Sequence, residues 1–144
     1  KATELLRVVG MDADTMQRYP HQFSGGQRQR ICIARALALE PDLLVADEAV
    51  SALDVSVQAH VLKLIEQIRA LTGIAIVFIT HDLRVAAQIC DTIVVMQQGR
   101  VVESGSAQTV LASPQQAYTR ALIDAAPGRN WDFQHFRPMR EAVP

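Results

Sequence analysis

At 144 residues, 49% of them apolar and 20% charged, the chain has the composition of a soluble globular core and the length of one domain at most. A net charge of -1 excludes a broad basic surface for nucleic acid, and no apolar run comes near the roughly 18 residues of a membrane-spanning helix. Cys32 and Cys90 stand far apart in apolar runs without zinc-like partners, so both read as buried, reduced thiols, and with no signal peptide in view the protein reads as cytosolic.

In chain order, Ala2 to Val9 reads as a helix stopped by Gly10, and the helix reads as already under way at the first residue, as in a piece of something longer. Asp12 to Tyr19 follows as a second, short helix broken by Pro20. Gln27 to Glu40 is a strong helical stretch with Ile31, Ala34, Leu37 and Ala38 on one face, ended by Pro41-Asp42. Leu43-Leu44-Val45-Ala46 is a short continuous apolar run, the pattern of a parallel strand buried on both faces. Val57, Val61, Leu64, Ile65, Ile68 and Leu71 recur at helical spacing up to Gly73. Ile74 to Ile79 is a second buried strand, Asp82 to Cys90 a short helix, and Thr92 to Met96 a third strand that turns at Gln98-Gly99 into an antiparallel return over Arg100 to Glu103. Ser106 to Leu111 looks helical. Ser113 reads as a cap, with Pro114 at the first helical position of a helix over Gln115 to Ala126. The tail holds Trp131, Phe133 and Phe136, which either pin it to the surface or meet a partner. Strands alternating with helices give an α/β fold.

Three places carry chemistry. In Phe23-Ser24-Gly25-Gly26-Gln27 two glycines let a ligand approach the backbone, Ser24 is a helix cap with a hydroxyl donor, and the helix behind it turns its free N–H groups and positive end toward an anion. Asp47 and Glu48 close the first buried strand, where open α/β sheets bind ligands. Adjacent strand residues point to opposite sides, so one acid can hold a Mg²⁺ ion through water while the other polarises an attacking water; a solvated pair of loop acids is the plain alternative. His81 directly follows the second strand, and of His21, His60, His81 and His135 it alone ends a core strand. Arg28, Arg30 and Arg35 form a turn-spaced cluster on one helix rather than a nucleic-acid stripe.

These residues resemble, in order and spacing, the motifs of ATP-binding-cassette (ABC) ATPases. Ser24, Gly25, Gly26 and Gln27 look like the signature motif, which serves the γ-phosphate of a nucleotide held by a second ATPase domain. Asp47 and Glu48 resemble the Walker B motif with its catalytic glutamate, Ser51-Ala52-Leu53-Asp54 the D-loop at the dimer interface, and His81 the switch histidine. Asp54 also reads as an ordinary helix cap. Tyr19-Pro20-His21-Gln22-Phe23 and Tyr118-Thr119-Arg120-Ala121-Leu122 look like the oligopeptide, dipeptide and nickel importer branch, and the Asn130-Trp131-Asp132-Phe133 tail like the second half of a tandem peptide or glutathione importer ATPase. Many relatives have Pro-Thr where this chain has Ala49-Val50.

The resemblance implies a partial P-loop NTPase (ABC ATPase) fold with helices on both faces of parallel strands. It implies three segments: 1–40, the end of a helical subdomain with the signature; 41–112, part of the catalytic core; and 113–144, a C-terminal helix and tail. It further implies ATP and Mg²⁺ as cofactors, with Asp47 on the metal. Partners would be a second ATPase domain, membrane permease subunits on the cytoplasmic face of the membrane and, indirectly, a periplasmic or extracellular solute-binding protein, with no nucleic acid. A non-transport ABC ATPase of DNA repair or translation is the alternative. The Gly-x-x-x-x-Gly-Lys-Ser/Thr phosphate loop is missing, since neither Lys1 nor Lys63 stands among glycines. The chain therefore reads as the C-terminal part of an importer ATPase, inactive alone. In the family a P-loop strand lies between the strands ending at Thr80 and starting at Thr92, so bare strand edges and self-association are expected.

Overall fold

In a computed structural model, residues 1–126 are described; Trp131, Phe133, His135 and Phe136 lie outside them. Composition allows one domain, but the chain divides into two compact units, Lys1–Ile79 and a second beginning at Thr80. The reason is that its strands form two separate two-stranded sheets, each with its own helices.

The first unit runs α1 (Ala2–Val8), two 3₁₀ turns at Ala13–Gln17 and Pro20–Gln22, α2 (Gly25–Leu37), β1 (Leu43–Asp47), α3 (Val55–Thr72) and β2 (Ala75–Ile79). Gly10 ends the α1 segment with φ +69, a conformation glycine adopts without a Cβ penalty. The second predicted helix is only a 3₁₀ turn. Helix α2 starts two residues before the predicted Gln27, because Ser24 caps it, and it buries Ile33, Ala34 and Leu37, while Ile31 is half-buried. Cys32, on the opposite side, is exposed rather than buried, and Cys90 is half-buried. Val61, Leu62, Ile65 and Ile68 of α3 are almost fully enclosed, but Leu71, in the last turn, is exposed. Gly73 closes α3 in the left-handed region, its N–H reaching Arg69 O at 2.8 Å.

Strands β1 and β2 are parallel, joined through α3, with Leu43 opposite Ala75, Val45 opposite Val77 and Asp47 opposite Ile79. Buried Ala46 marks the covered face. Leu43, Val45, Val77 and Ile79 lie on the other face, each about half exposed (51, 57, 46 and 47%). The expectation of a strand buried on both faces therefore fails: among the described residues this ladder has two strands, and one face is open.

The second unit holds α4 (Leu83–Ile89), β3 (Thr92–Gln97), β4 (Arg100–Ser106), α5 (Ala107–Ala112) and α6 (Ala117–Ala125). Strands β3 and β4 are an antiparallel hairpin. Its turn places Gln98 and Gly99 at φ 49 and 75, the paired positive angles that suit a two-residue hairpin loop. Ala86, Ala87, Ile93, Val95, Val110 and Leu111 form its core, with Tyr118, Leu122 and Ile123 of α6 packed against it. Helix α6 does not begin at the predicted Ser113-Pro114. Glu103 of β4 supplies the capping oxygens instead, accepting from the N–H groups of Gln115 (2.8 Å) and Gln116 (3.2 Å). Those bonds, the Gln115 one foremost, hold the Glu103 carboxyl below its ordinary range.

Candidate functional site

The segment before α2 is fixed by its own side chains. The Arg18 guanidinium lies 4.6 Å from the centre of the Phe23 ring and donates to Gln22 O at 2.5 Å. Gln22 Oε1 accepts from Tyr19 N–H at 2.7 Å, the rings of Tyr19 and His21 stack at 5.9 Å, and Phe23 is buried. This delivers Ser24 to the helix start in an extended conformation, φ -64 and ψ 164. Ser24 Oγ accepts from Gln27 N–H at 3.3 Å while Gln27 Oε1 accepts from Ser24 N–H at 3.0 Å, a reciprocal capping box. The amides of Gly25 and Gly26 stand in the first turn, where a helix offers no carbonyl to bond. The Ser24 hydroxyl accepts from Gln27 and keeps its own proton for donation. A cleft of about 700 Å³ opens beside this turn, walled by Asp12, Asp14, Arg18, Ser24, Gln27, Arg30 and His60 among others.

Asp47 is the last residue of β1 and is exposed. Glu48 has already left the strand with φ +45, so the alternation of the pleat does not set its direction as the sequence suggested. Its N–H bonds to Ile79 O at 2.9 Å, which pins it to the end of β2. Its carbonyl accepts both the N–H (3.1 Å) and the hydroxyl (3.0 Å) of Ser51, and Leu53 N–H reaches Val50 O at 3.2 Å. The loop thus folds back over Glu48, with Val50 buried beneath it. Asp54 is the residue before α3, and its carbonyl accepts from Gln58 N–H at 2.8 Å. Its carboxylate makes no capping bond, which corrects the plain cap reading.

The helix start and this loop meet. A Cβ built on Gly25 would stand 3.4 Å from Leu53 Cδ2, and one on Gly26 would overlap Val57 Cγ1. The first unit therefore brings Ser24–Gln27 together with Ser51–Asp54 and, through Ser51, with Glu48. Leu53 and Val57 were missed as neighbours of the signature, because spacing alone shows Val57 only as a core position of α3.

His81 belongs to the second unit, exposed in the bend between Thr80 and α4. Asp82 fixes that bend. Its N–H bonds to Thr80 Oγ1 at 3.0 Å, and its carboxylate accepts from Arg84 N–H (2.9 Å), Nε (3.0 Å) and Nη2 (2.8 Å). The Arg84 side chain is the main reason the Asp82 carboxyl lies below its usual range. Arg84 was not singled out in the sequence; an Asp-x-Arg pair at a helix start is the signal that finds it. Among the described residues no group of three or more His, Cys, Asp and Glu is arranged as a metal cage, and no helix is long and apolar enough to cross a membrane. Asp47 is an exposed carboxylate next to Glu48, a donor type that suits a hard cation.

Residues 1–51 match the family model described as "ABC transporter". A Brucella ovis protein that carries a peptide-import ATP-binding name is 51% identical over 132 residues, 92% of this chain and 42% of that protein. The dipeptide transport ATP-binding protein DppF of Haemophilus influenzae is 50% identical over 127 residues (88% of this chain, 39% of that protein). The glutathione import ATP-binding protein GsiA of Pectobacterium atrosepticum is 52% identical over 123 residues (85% and 20%). The chain thus spans at most about two fifths of the curated relatives named here. Among solved structures, an ATP-binding cassette of an ABC transporter in its ADP conformation superposes with a TM-score of 0.73 at 24% identity, over 84% of this chain and 48% of that one, a likeness of fold. The protein cbiO1 of Clostridium perfringens, part of the ABC transporter complex cbiONQ, gives 0.69 at 32% identity over 78% and 44%.

Proposed function

We infer that this chain, which is similar to ABC transporter ATPases in its family match, relatives and fold, supplies the signature and catalytic-acid part of the ATP-hydrolysing subunit of an importer for peptides or similar solutes. The observation that carries the reading is the Ser24–Gln27 helix start, built for an anion and packed against the loop that folds over Glu48. Ser24 and the amides of Gly25 and Gly26 receive the γ-phosphate of a nucleotide held by a second ATPase domain, with Gln27 bracing Ser24. Glu48 takes up the proton of the attacking water. His81 donates to the γ-phosphate, while Ser51 and Asp54 face the partner domain. Asp47 would hold Mg²⁺, which would supply charge neutralisation at the phosphates. ATP binding closes the pair of domains and hydrolysis reopens it, which drives permease subunits at the cytoplasmic face of the membrane; a solute-binding protein delivers the cargo to those subunits.

The test is ATP turnover by the polypeptide encoded by the whole reading frame around these residues, set against this chain alone. The first hydrolyses ATP and stops on Glu48→Gln. The chain alone stays at background, because it has no lysine-bearing glycine loop to hold the β- and γ-phosphates. Turnover by the chain itself, abolished by Glu48→Gln, overturns the second expectation. No turnover by the whole polypeptide overturns the reading.

A further inference from the structure

We propose that Val57 and Leu53 are positioning residues which mechanically link the signature to the catalytic glutamate of the same chain, so that what happens at a partner's phosphate is felt at Glu48. The roles of the two ends rest on the function proposed above; the link itself rests on geometry. Gly26 lies so close to α3 that a side chain at that position would occupy the space of Val57 Cγ1. Val57 is β-branched and sits in a helix, where its χ1 has one strongly preferred rotamer, so it cannot swing aside cheaply. One turn earlier, Leu53 Cδ2 lies where a Cβ on Gly25 would just reach van der Waals contact, at 3.4 Å. Leu53 N–H is bonded to Val50 O, and Ser51 is bonded twice to Glu48 O. Helix start, Leu53, Ser51 and Glu48 therefore form one contiguous path of packed and hydrogen-bonded groups within the first unit. The glycine at position 26 has a second purpose beyond admitting a phosphate: it lets α2 sit directly on α3. A displacement of α2 moves Val57 and Leu53 with it and reorients the loop that holds Glu48. Spatial continuity alone does not establish coupling, so the test is a double-mutant cycle.

The experiment measures native-state amide hydrogen exchange in this chain for Gly26→Ala, Val57→Ala and the double variant. Gly26→Ala is expected to speed exchange at the Ser51 and Leu53 amides by about tenfold or more, since overpacking of this kind is strongly destabilising where neighbours cannot yield. Ala75, whose N–H bonds to Asp42 O, is expected to keep its rate. Adding Val57→Ala is expected to return Ser51 and Leu53 to the rates of Val57→Ala alone. Uniform acceleration at all sites, no change at Ser51 and Leu53, or no relief by Val57→Ala overturns the link. If Gly26→Ala fails to fold, Val57→Leu applies the same pressure from the other side and is read at the same amides. In parallel, ATP turnover is measured for the wild-type whole polypeptide. A wild type that does not hydrolyse ATP sinks the functional reading and leaves the exchange result standing. A wild type that hydrolyses while the exchange pattern does not move sinks the link alone.

Discussion

Ser24 is assigned two roles, as the oxygen that caps α2 and as a hydroxyl that donates to phosphate, and substitution can separate them. Ser24→Ala removes the oxygen that accepts Gln27 N–H at 3.3 Å; the reciprocal bond from Ser24 N–H to Gln27 Oε1 depends only on backbone and survives. Loss of a serine cap costs about 1 kcal/mol, within a range of about 0.5–2. With a urea dependence of about 1–3 kcal/mol per molar, the unfolding midpoint of the chain falls by roughly 0.3–1 M. Ser24→Asp keeps an acceptor at the cap and places a negative charge at the positive end of the helix, worth about 0.3–1 kcal/mol in its favour. Its midpoint is therefore equal to or above that of the wild type. Yet a carboxylate has no proton to donate and repels a phosphate, so turnover by the whole polypeptide falls to background with Asp as with Ala. Far-UV circular dichroism in urea reads the first effect and phosphate release reads the second. An unshifted midpoint for Ser24→Ala, or an Asp variant as unstable as the Ala variant, refutes the capping argument. Wild-type turnover by Ser24→Asp refutes the phosphate argument.

Gly73 ends α3 at φ +71 with nothing within 4 Å of a Cβ, so Gly73→Ala tests backbone strain without a steric clash; it costs about 1–2 kcal/mol in the same urea assay. Glu103 has its folded pKa lowered, so its contribution is present above the unfolded value of about 4.3 and is lost as pH falls through the folded value. Protection of α6 amides, taken as the exchange rate relative to that of the unfolded chain at the same pH, is expected to fall on acidification across that window in the wild type, and Glu103→Gln is expected to show low protection with no such fall. The open face carrying Val45, Val77 and Ile79, beside the unpaired edge of β2, predicts self-association that rises with concentration and weakens with Val77→Lys; a sharp monomer by light scattering at high concentration counts against it.

The elements were legible where one signal dominated. Helical spacing gave the enclosed α3 positions Val61, Leu64, Ile65 and Ile68, Gly73 gave the end of that helix, and Gln98-Gly99 gave the hairpin turn. What was not legible depends on neighbours distant in sequence. The apolar runs of β1 and β2 look alike whether one face or both are covered, so the open face could not be read from them. Cys32 sits in an apolar run yet falls on the solvent side of α2, because Ile33, Ala34 and Leu37 form the inward face of that helix and Cys32 lies off it. The cap of α6 comes from Glu103, on the preceding strand, which no local Ser-Pro pattern can announce. Within the candidate site, the residue types of the signature and the two acids could be read directly. The approach of Gly26 to Val57 could not, since it is set by the packing of α2 on α3.

Backbone strain at Glu48 points the same way as the packing. Three described non-glycine residues have positive φ: Glu40, Glu48 and Gln98. Gln98 is accounted for by a two-residue hairpin loop, and Glu40 by the chain reversal after α2. Glu48 directly follows β1 at the start of its loop, where an L-residue in this region costs on the order of 1–3 kcal/mol. Such a conformation persists only when its surroundings over-determine it. Here they do: Ile79 O holds the Glu48 N–H, and the Ser51 N–H and hydroxyl both hold the Glu48 carbonyl. A glycine would relieve that strain but would remove the carboxylate. An L-residue with a carboxylate is thus held where backbone geometry disfavours it, which argues that the carboxylate's position, rather than the stability of the turn, is what this loop is arranged to serve.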